Sequence, residues 1–408
     1  MAKATFKSDT IDFHLEVKIG ADRLPLSYQH IEEFYIVQDL NKFLPSFRFK
    51  IRDAEGYLSH LVPFDRKANT ITVVLGSGPI IEGTTEYKFK VYRRFPTSDD
   101  IYDVEGLLDV EGLFAPLRTR GLSGVIRDNL SAIAVDELGL DEADVSASLD
   151  YSKNIVQPSW SNADLLRYLE SNLLGLQDDA GYFCYVCCKK RKRILVFKTV
   201  KDFYSQRVKY NYINTFDPQQ DEDSGEVRYP IFEYKAYDNY KVIGDLKRQD
   251  YSYFDYDNSE FKVDSIDVKD NVVSQDDYYS LTKYFLIDKD DVEDSGVGIA
   301  AGRGNDFSPN FKGRIKGNYY KRLNSLSKFW ITSLGLEDIY PGDIVRIQFL
   351  DDPSMMMSYQ YHGFWMVERV IHMIGYQFAT RLLLTRSGMN TMETTSLLEA
   401  NSGNIKLR

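Results

Sequence analysis

"IYPGDIVRIQFLDDPSMMMSYQYHGFWMVERVIHMIGYQFATRLLLTRSG", Ile339–Gly388, reads as three strands in succession. A Pro341-Gly342-Asp343 turn launches the mostly apolar run from Ile344 to Phe349, and further strands open near Phe364 and Gln377. Proline fixes one backbone angle of a sharp reversal and glycine tolerates the other, so this tripeptide is a turn with a mechanism. Phe364, Trp365 and Val367 fall on the middle strand of the three, and Phe378, Leu382 and Leu384 on the last. Period-two placement of apolar residues marks strands with one buried face. The stretch holds no catalytic grouping.

The first hundred residues follow the same rule. Ile11, Phe13, Leu15 and Val17 alternate, as do Phe47, Phe49 and Ile51, then Ile71, Val73 and Leu75, then Tyr87, Phe89 and Val91, then Tyr102 and Val104. Five or six such strands predict a small barrel or sandwich. The order of a strand at Ile71, a loop, a strand from Tyr87, a turn and a strand from Ile101 runs parallel to Ile344, Phe364 and Gln377. Residue identity is low, but order and spacing agree. The simplest organisation is two copies of one β-domain with an insertion between them.

The insertion begins after Pro116. Val125, Ile126, Leu130, Ile133, Ala134 and Leu138 keep helical spacing up to Gly139, and a second helix follows Ser161, with Asp164 three residues on as a capping partner. "GYFCYVCC" and "RILVFKTV" flank the basic run Lys189 to Arg193, a hairpin pattern. The expected fold is therefore mainly β with a smaller α+β part: two similar small β-barrels with an α+β insertion between them. The expected units are residues 1–115, 116–204, 205–388 with acidic, tyrosine-rich insertions, and a tail at 389–408. The stretches 217–226 and 288–306 read as exposed acidic loops, and a short helix is expected around Gly317 to Phe329.

Composition bounds the function. The chain has 408 residues, 43% of them hydrophobic, and a net charge of -11, with 29 tyrosines and 24 phenylalanines. An acidic exterior does not recruit nucleic acid by neutralising phosphates. The N-terminus shows no export pattern and no stretch approaches the 18 or so apolar residues of a membrane helix, so folding in a cytoplasm is expected. Three cysteines are too few for a disulfide framework.

Motif-like stretches carry no chemistry. Cys184, Cys187 and Cys188 lack a fourth ligand nearby, since the next Cys or His is His362, and they read as small buried or half-buried strand residues. "GVGIAAG", Gly296 to Gly302, has no buried strand before it and no helix after it, which a dinucleotide fingerprint requires. The acidic loops lack the ligand spacing of a calcium loop. The five histidines, His14, His30, His60, His362 and His372, fall in or beside strand patterns, and there is no G-x-S-x-G, H-E-x-x-H or P-loop. No catalytic residue, metal or cofactor is expected. Met355, Met356 and Met357 form a flexible, polarizable run in a connection that suits either a contact surface or ordinary packing.

Three stretches carry a family resemblance. "NIVQPSWSNADLLRYLE", containing Trp160, is similar to the segment in which an extended Gln-Pro-x-Trp enters a helix in the baseplate hub proteins of contractile-tailed phages. "GYFCYVCCKKRKRILVFKT" resembles the hairpin that follows. "GLEDIYPGDIVRIQF" and "GFWMVERVIHMIGYQFATRLLLTRSG", with Trp365, resemble the closing β-domain. The same family includes the N-terminal hub part of type VI secretion spike proteins.

The resemblance implies a non-enzymatic virion protein, assembled in the host cytoplasm: a homotrimeric hub joining a six-fold tail tube to a trimeric spike. Implied partners are the spike, tail-tube or tube-initiator proteins, baseplate wedge proteins and the tape-measure protein, with no sequence-specific nucleic acid. Only about twenty residues follow Arg386, so a separate spike protein is implied. Leu397, Leu398, Ile405 and Leu407 sit in a polar context there, as expected of a segment that orders on a neighbour. Two rival classes stand beside this reading. One is a cell-envelope glycosidase or peptidase with distant paired carboxylates; the other is a carbohydrate-binding β-protein, suggested by the aromatic load.

Overall fold

A computed structural model describes residues 13–19, 22–23, 31–53, 70–77, 84–96, 100–214, 219–220, 227–238, 249–255, 260–266, 295–299, 313–349 apart from 315, 319, 322, 323 and 326, and 361–386 apart from 376. The first part holds β1 (Phe13–Ile19), β2 (Asp22–Arg23), β3 (Ile31–Asp39), β4 (Ser46–Arg52), β5 (Thr70–Ser77), β6 (Thr85–Pro96) and β7 (Ile101–Leu108). The middle holds β8 (Arg118–Leu122), α1 (Ile126–Ala132), β9 (Glu142–Val145), β10 (Ile155–Trp160), α2 (Asn162–Asn172), β11 (Tyr182–Lys189), β12 (Lys192–Thr199) and α3 (Val200–Tyr204). The last part holds β13 (Val208–Ile213), β14 (Gln219–Gln220), β15 (Val227–Asp238), β16 (Gln249–Asp255), β17 (Glu260–Ile266) and β18 (Ser295–Ile299). It ends with β19 (Ser327–Leu334), β20 (Ile344–Gln348), β21 (Gly363–Ile374) and β22 (Phe378–Arg386). The chain is mainly β with a smaller α+β part. Ser327 to Phe329, expected in a helix, open β19 instead, because Ser327, Phe329 and Ile331 alternate inward.

Two sheets share one strand order. The first runs β1-β5-β6-β7-β4-β3, and the second runs β13-β20-β21-β22-β19-β15. The second closes into a six-stranded barrel through a parallel β13–β15 pairing at residues 228–230. The corresponding positions of the first sheet, 28–30, lie outside the described residues. One difference is plain: β1 is antiparallel to β5, whereas β13 is parallel to β20.

The likeness extends to single residues. A bulge interrupts β3–β4 between Ile31 and Glu33, and another interrupts β15–β19 between Ile231 and Glu233. A bulge in β6–β7 falls just before Arg93, and one in β21–β22 just before Arg369. Bulges add one residue and bend a strand, so matched bulges keep two sheets in matched register and curvature. Counting from them, Phe34, Phe47 and Phe89 correspond to Tyr234, Phe329 and Trp365. The ring centroids of Phe34 and Phe47 lie 6.5 Å apart and those of Phe47 and Phe89 4.7 Å. Their counterparts lie 5.8 Å (Tyr234–Phe329) and 5.6 Å (Phe329–Trp365) apart. One aromatic triad is thus built twice.

The β11–β12 hairpin sits between the cores. Every residue from Tyr182 to Cys188 is buried, on both faces. Tyr182, Cys184, Val186 and Cys188 face the core of the first sheet and the helices, while Phe183, Tyr185 and Cys187 face Leu40, Ile344 and Met366. The absence of alternation in "YFCYVCC" is what burial on two sides produces. All three cysteines are free and buried, as expected. The cap of α2 also forms as expected: Ser161 Oγ accepts from the Asp164 N–H at 3.1 Å, and the Asp164 carboxylate accepts from the Ser161 N–H at 3.1 Å.

His372 lies fully buried in β21, between Ile36 and Thr380, and burial lowers its pKa from 6.5 to about 3. The unfolded chain therefore takes up a proton near pH 6.5 that the folded chain refuses until about 3. Stability from this group is complete above that window and falls as the pH drops through it, by up to about 1.4 kcal/mol per pH unit. In urea titrations across that range, His372→Gln is expected to have a shallower slope than the parent. An identical slope would show that another group titrates.

Candidate functional site

Nothing described resembles a reaction centre, so the positions that hold the two sheets together are the candidate site. Among the described residues no group of three or more His, Cys, Asp and Glu could hold a metal ion, and no helix is long and apolar enough to cross a membrane. Several buried carboxylates are engaged by cations. Glu170 meets Arg167 at 2.7 Å and Lys321 at 2.8 Å, and Asp103 meets Arg48 at 2.6 Å. Glu137 is partly desolvated, which acts against its charge, yet Arg120, Asn162 and Arg118 hold its pKa below the ordinary value. A cleft of about 400 Å³ between β13, β15 and β20 includes Lys209, Tyr210, Tyr229 and Arg346. Lys209 is held there by Asp343 and by the carbonyl of Asp338.

The Pro341-Gly342-Asp343 turn anchors the barrel to the hairpin. Tyr185 donates to the Pro341 carbonyl at 2.7 Å. Gly342 has φ +87°, donates to the Val367 carbonyl at 2.8 Å, and lies so close to Phe203 that an added Cβ would stand 2.4 Å from its ring. Positive φ and contact with the ring both demand glycine. Asp343 is buried and accepts from the Tyr340 N–H at 2.8 Å and from Lys209 Nζ at 3.1 Å. Burial raises its pKa, and Lys209 opposes that rise. These three residues therefore form one structural unit.

The second contact joins the sheets edge to edge. Residues 34–39 of β3 pair antiparallel with 369–374 of β21. At the end of this ladder Asp39, fully buried, accepts from Arg369 Nε at 2.6 Å and from the Asn41 N–H at 2.9 Å. Beside it Glu368 accepts from Asn41 Nδ2 at 3.1 Å and from Lys328 Nζ at 2.9 Å. The guanidinium of Arg369 lies 6.0 Å from the Trp330 ring, with Arg381 5.0 Å from the same ring. Through this joint β6-β7-β4-β3-β21-β22-β19-β15 form one uninterrupted run of strands.

The other expected residues are dispersed. Trp365 is in the barrel core, donating to the Tyr361 carbonyl at 2.9 Å beneath Arg386 at 4.0 Å. Trp160 ends β10 on a two-stranded ribbon with β8 and packs on Tyr168 at 5.2 Å. Met355, Met356, Met357, Leu397, Leu398, Ile405 and Leu407 lie outside the described residues, as does most of the two acidic loops. Sequence reading missed Asp39, Arg369 and Glu368. No local signal marks them; the spacing of Ile31 and Glu33, repeated at Ile231 and Glu233, bears only on the correspondence of β3 with β15.

Gly342→Ala is expected to cost about 2–4 kcal/mol in equilibrium unfolding, from a strained φ and an overpacked ring. Gly375→Ala, where an added Cβ meets nothing within 4 Å, is the control and is expected to be near neutral. Equal effects would remove the assigned role of the turn.

No protein-family model matches the chain, and no curated protein matches it. Solved structures do match. The 43 kDa tail protein of prophage MuSo2 from Shewanella oneidensis is 10% identical, with 92% of this chain and 99% of that one covered and a TM-score of 0.54. A tail protein from Neisseria meningitidis MC58 is 11% identical over 92% of this chain and 97% of that one, with a TM-score of 0.54. The E. coli c3393 protein, a component of the type VI secretion system with structural similarity to the T4 bacteriophage tail proteins gp27 and gp5, is 8% identical. There 91% of this chain and 76% of that one are covered, with a TM-score of 0.50. The chain thus shares its fold with two tail proteins, one of them from a prophage, and with a type VI secretion component, which agrees with the resemblance noted in its sequence.

Proposed function

We propose that this chain is a non-enzymatic structural protein of a phage tail baseplate: a homotrimeric hub between a six-fold tail tube and a trimeric spike. The observation that carries this reading is the doubled sheet, with one strand order, matched bulges and a repeated aromatic triad. Three copies of a chain with two like sheets present six similar units around an axis while keeping true three-fold symmetry. A six-fold ring of tube subunits can stack on one end, and a three-fold spike can meet the other. The fold shared with tail proteins supports the tail assignment.

In this reading residues 1–115 and 205–388 are the two ring units, and 116–204 is the element that sets their relation. The continuous run of strands from β6 to β15 lines the channel through which DNA and the tape-measure protein pass. A chain with net charge -11 suits such a wall, because DNA phosphates find no basic surface to hold them. Residues 389–408 dock on the spike or on a neighbouring chain, and wedge proteins contact the outside.

Sedimentation of the purified chain, alone and with the spike protein from the same tail, tests the reading. A species of three times the 47.1 kDa chain mass, with or without bound spike, is expected. A monomer under both conditions would overturn it.

A further inference from the structure

We infer that the β8–β10 ribbon takes an extended segment of another protein as a third strand along the outer edge of β8. That segment carries apolar side chains at alternate positions and a carboxylate between them. The inference does not depend on the proposed trimer.

β8 and β10 form a sheet of two strands, with Ile155 paired to Leu122, Val156 to Gly121 and Gln157 to Arg120. Two strands alone are marginal in water, so such a ribbon needs something to rest on. Its inner face is well supported. Gln157, fully buried, accepts from Arg120 Nε at 2.9 Å and donates to the Trp160 carbonyl at 2.8 Å. Arg120 also donates to Glu137 Oε2 at 3.1 Å, and Asn162, at the start of α2, donates to the same oxygen at 3.1 Å. This network fixes the ribbon on the helices.

The outer face is bare. Side chains alternate across a strand, so Leu117, Thr119 and Gly121 lie on one side, with Val156 opposite Gly121. Leu117 is 65% exposed and Val156 69%, and a Cβ added at Gly121 would meet nothing within 4 Å. Phe114, Ala115 and Pro116, which lead into β8, are exposed too. Clustered apolar exposure of this kind marks a contact with another molecule.

The edge is open as well. β8 has a strand on one side only, so alternate N–H and C=O groups of residues 118–122 point away from β10. Among the described residues no other backbone group bonds to them, and such an edge is a template for another strand. β8 contains no proline, whereas Pro158 leaves β10 short of a donor. Residues 100–214 are described without a gap, so both strands and their chain neighbours are in view.

Charge decides what the incoming strand carries. Arg118 and Arg120 share one carboxylate, Glu137, which Arg120 and Asn162 already engage by hydrogen bonds. Arg118 stands 3.5 Å from it, and its Nε has no hydrogen-bond partner among the described residues. Two guanidiniums against one carboxylate leave a surplus positive charge, which a second carboxylate would match. On a strand added to β8, side chains of one face would lie beside Leu117 and Gly121, and those of the other beside Arg118. Main-chain bonds then supply affinity and the alternating side chains supply selectivity.

Fluorescence anisotropy with two labelled, end-blocked peptides tests this on the full chain: one alternates valine with glutamate, the other valine with lysine. The glutamate peptide is expected to bind about tenfold more tightly, and Arg118→Glu to reverse the preference. Leu117→Asp, a change on the exposed face only, is expected to weaken that peptide about tenfold with thermal unfolding unchanged, and it serves alone should Arg118→Glu not fold. Equal binding of the two peptides, or binding of neither, would overturn the inference. So would binding that Leu117→Asp leaves intact, which would place the peptide elsewhere. Self-association of the parent chain that Leu117→Asp abolishes would give the surface to a second copy of the chain and overturn it equally.

Discussion

Asp39 is a carboxylate with almost no access to water, and an unpaired charge there would cost several kcal/mol. Arg369 removes that cost, and the atoms that meet lie at the end of a six-residue ladder between β3 and β21. The pair is therefore satisfied only when the first and last parts of the chain are correctly docked. Glu368, Asn41 and Lys328 extend the requirement to the bulge and to β19. A buried ion pair of this kind contributes little net stability over an apolar contact, but its geometry punishes a slipped register. Everything proposed about ring formation depends on that joint being fixed.

The hairpin β11–β12 holds the joint from behind. Its two faces belong to different cores, and Val186 donates to the Phe43 carbonyl at 2.8 Å beside the β3–β4 connection. On the barrel side Tyr185 and Phe203 close over the Pro341-Gly342-Asp343 turn. In the proposed hub, the segment between the two ring units is the element that sets the angle between them. Interiors packed at crystal density transmit such an angle rather than averaging it. A rigid angle is what a part repeated around an axis requires.

Much of this was legible in the sequence. Alternating apolar positions located most of the first-sheet strands, Ser161 and Asp164 announced the cap of α2, and Pro341-Gly342-Asp343 announced the turn. The meander β5-β6-β7 and its counterpart β20-β21-β22 were visible as a repeat. The remaining correspondence was not, because β3 and β15 share little beyond an isoleucine, a glutamate and an aromatic residue. Bulges break the period-two pattern that sequence reading relies on, so the most diagnostic shared features were the hardest to see. Asp39 and Arg369 are far apart in the chain, and nothing local marks them as partners. Burial of the hairpin on both faces could have been read from its unbroken apolar run, but which cores it joins could not.

The central claim is that one chain supplies two equivalent ring units. Electron microscopy of the assembled particle tests it most directly, by locating both sheets of each chain relative to the symmetry axis. The two sheets are expected at the same radius, related by a rotation of about 60° around a three-fold axis. Sheets at clearly different radii, with only one of them in the ring, would contradict it.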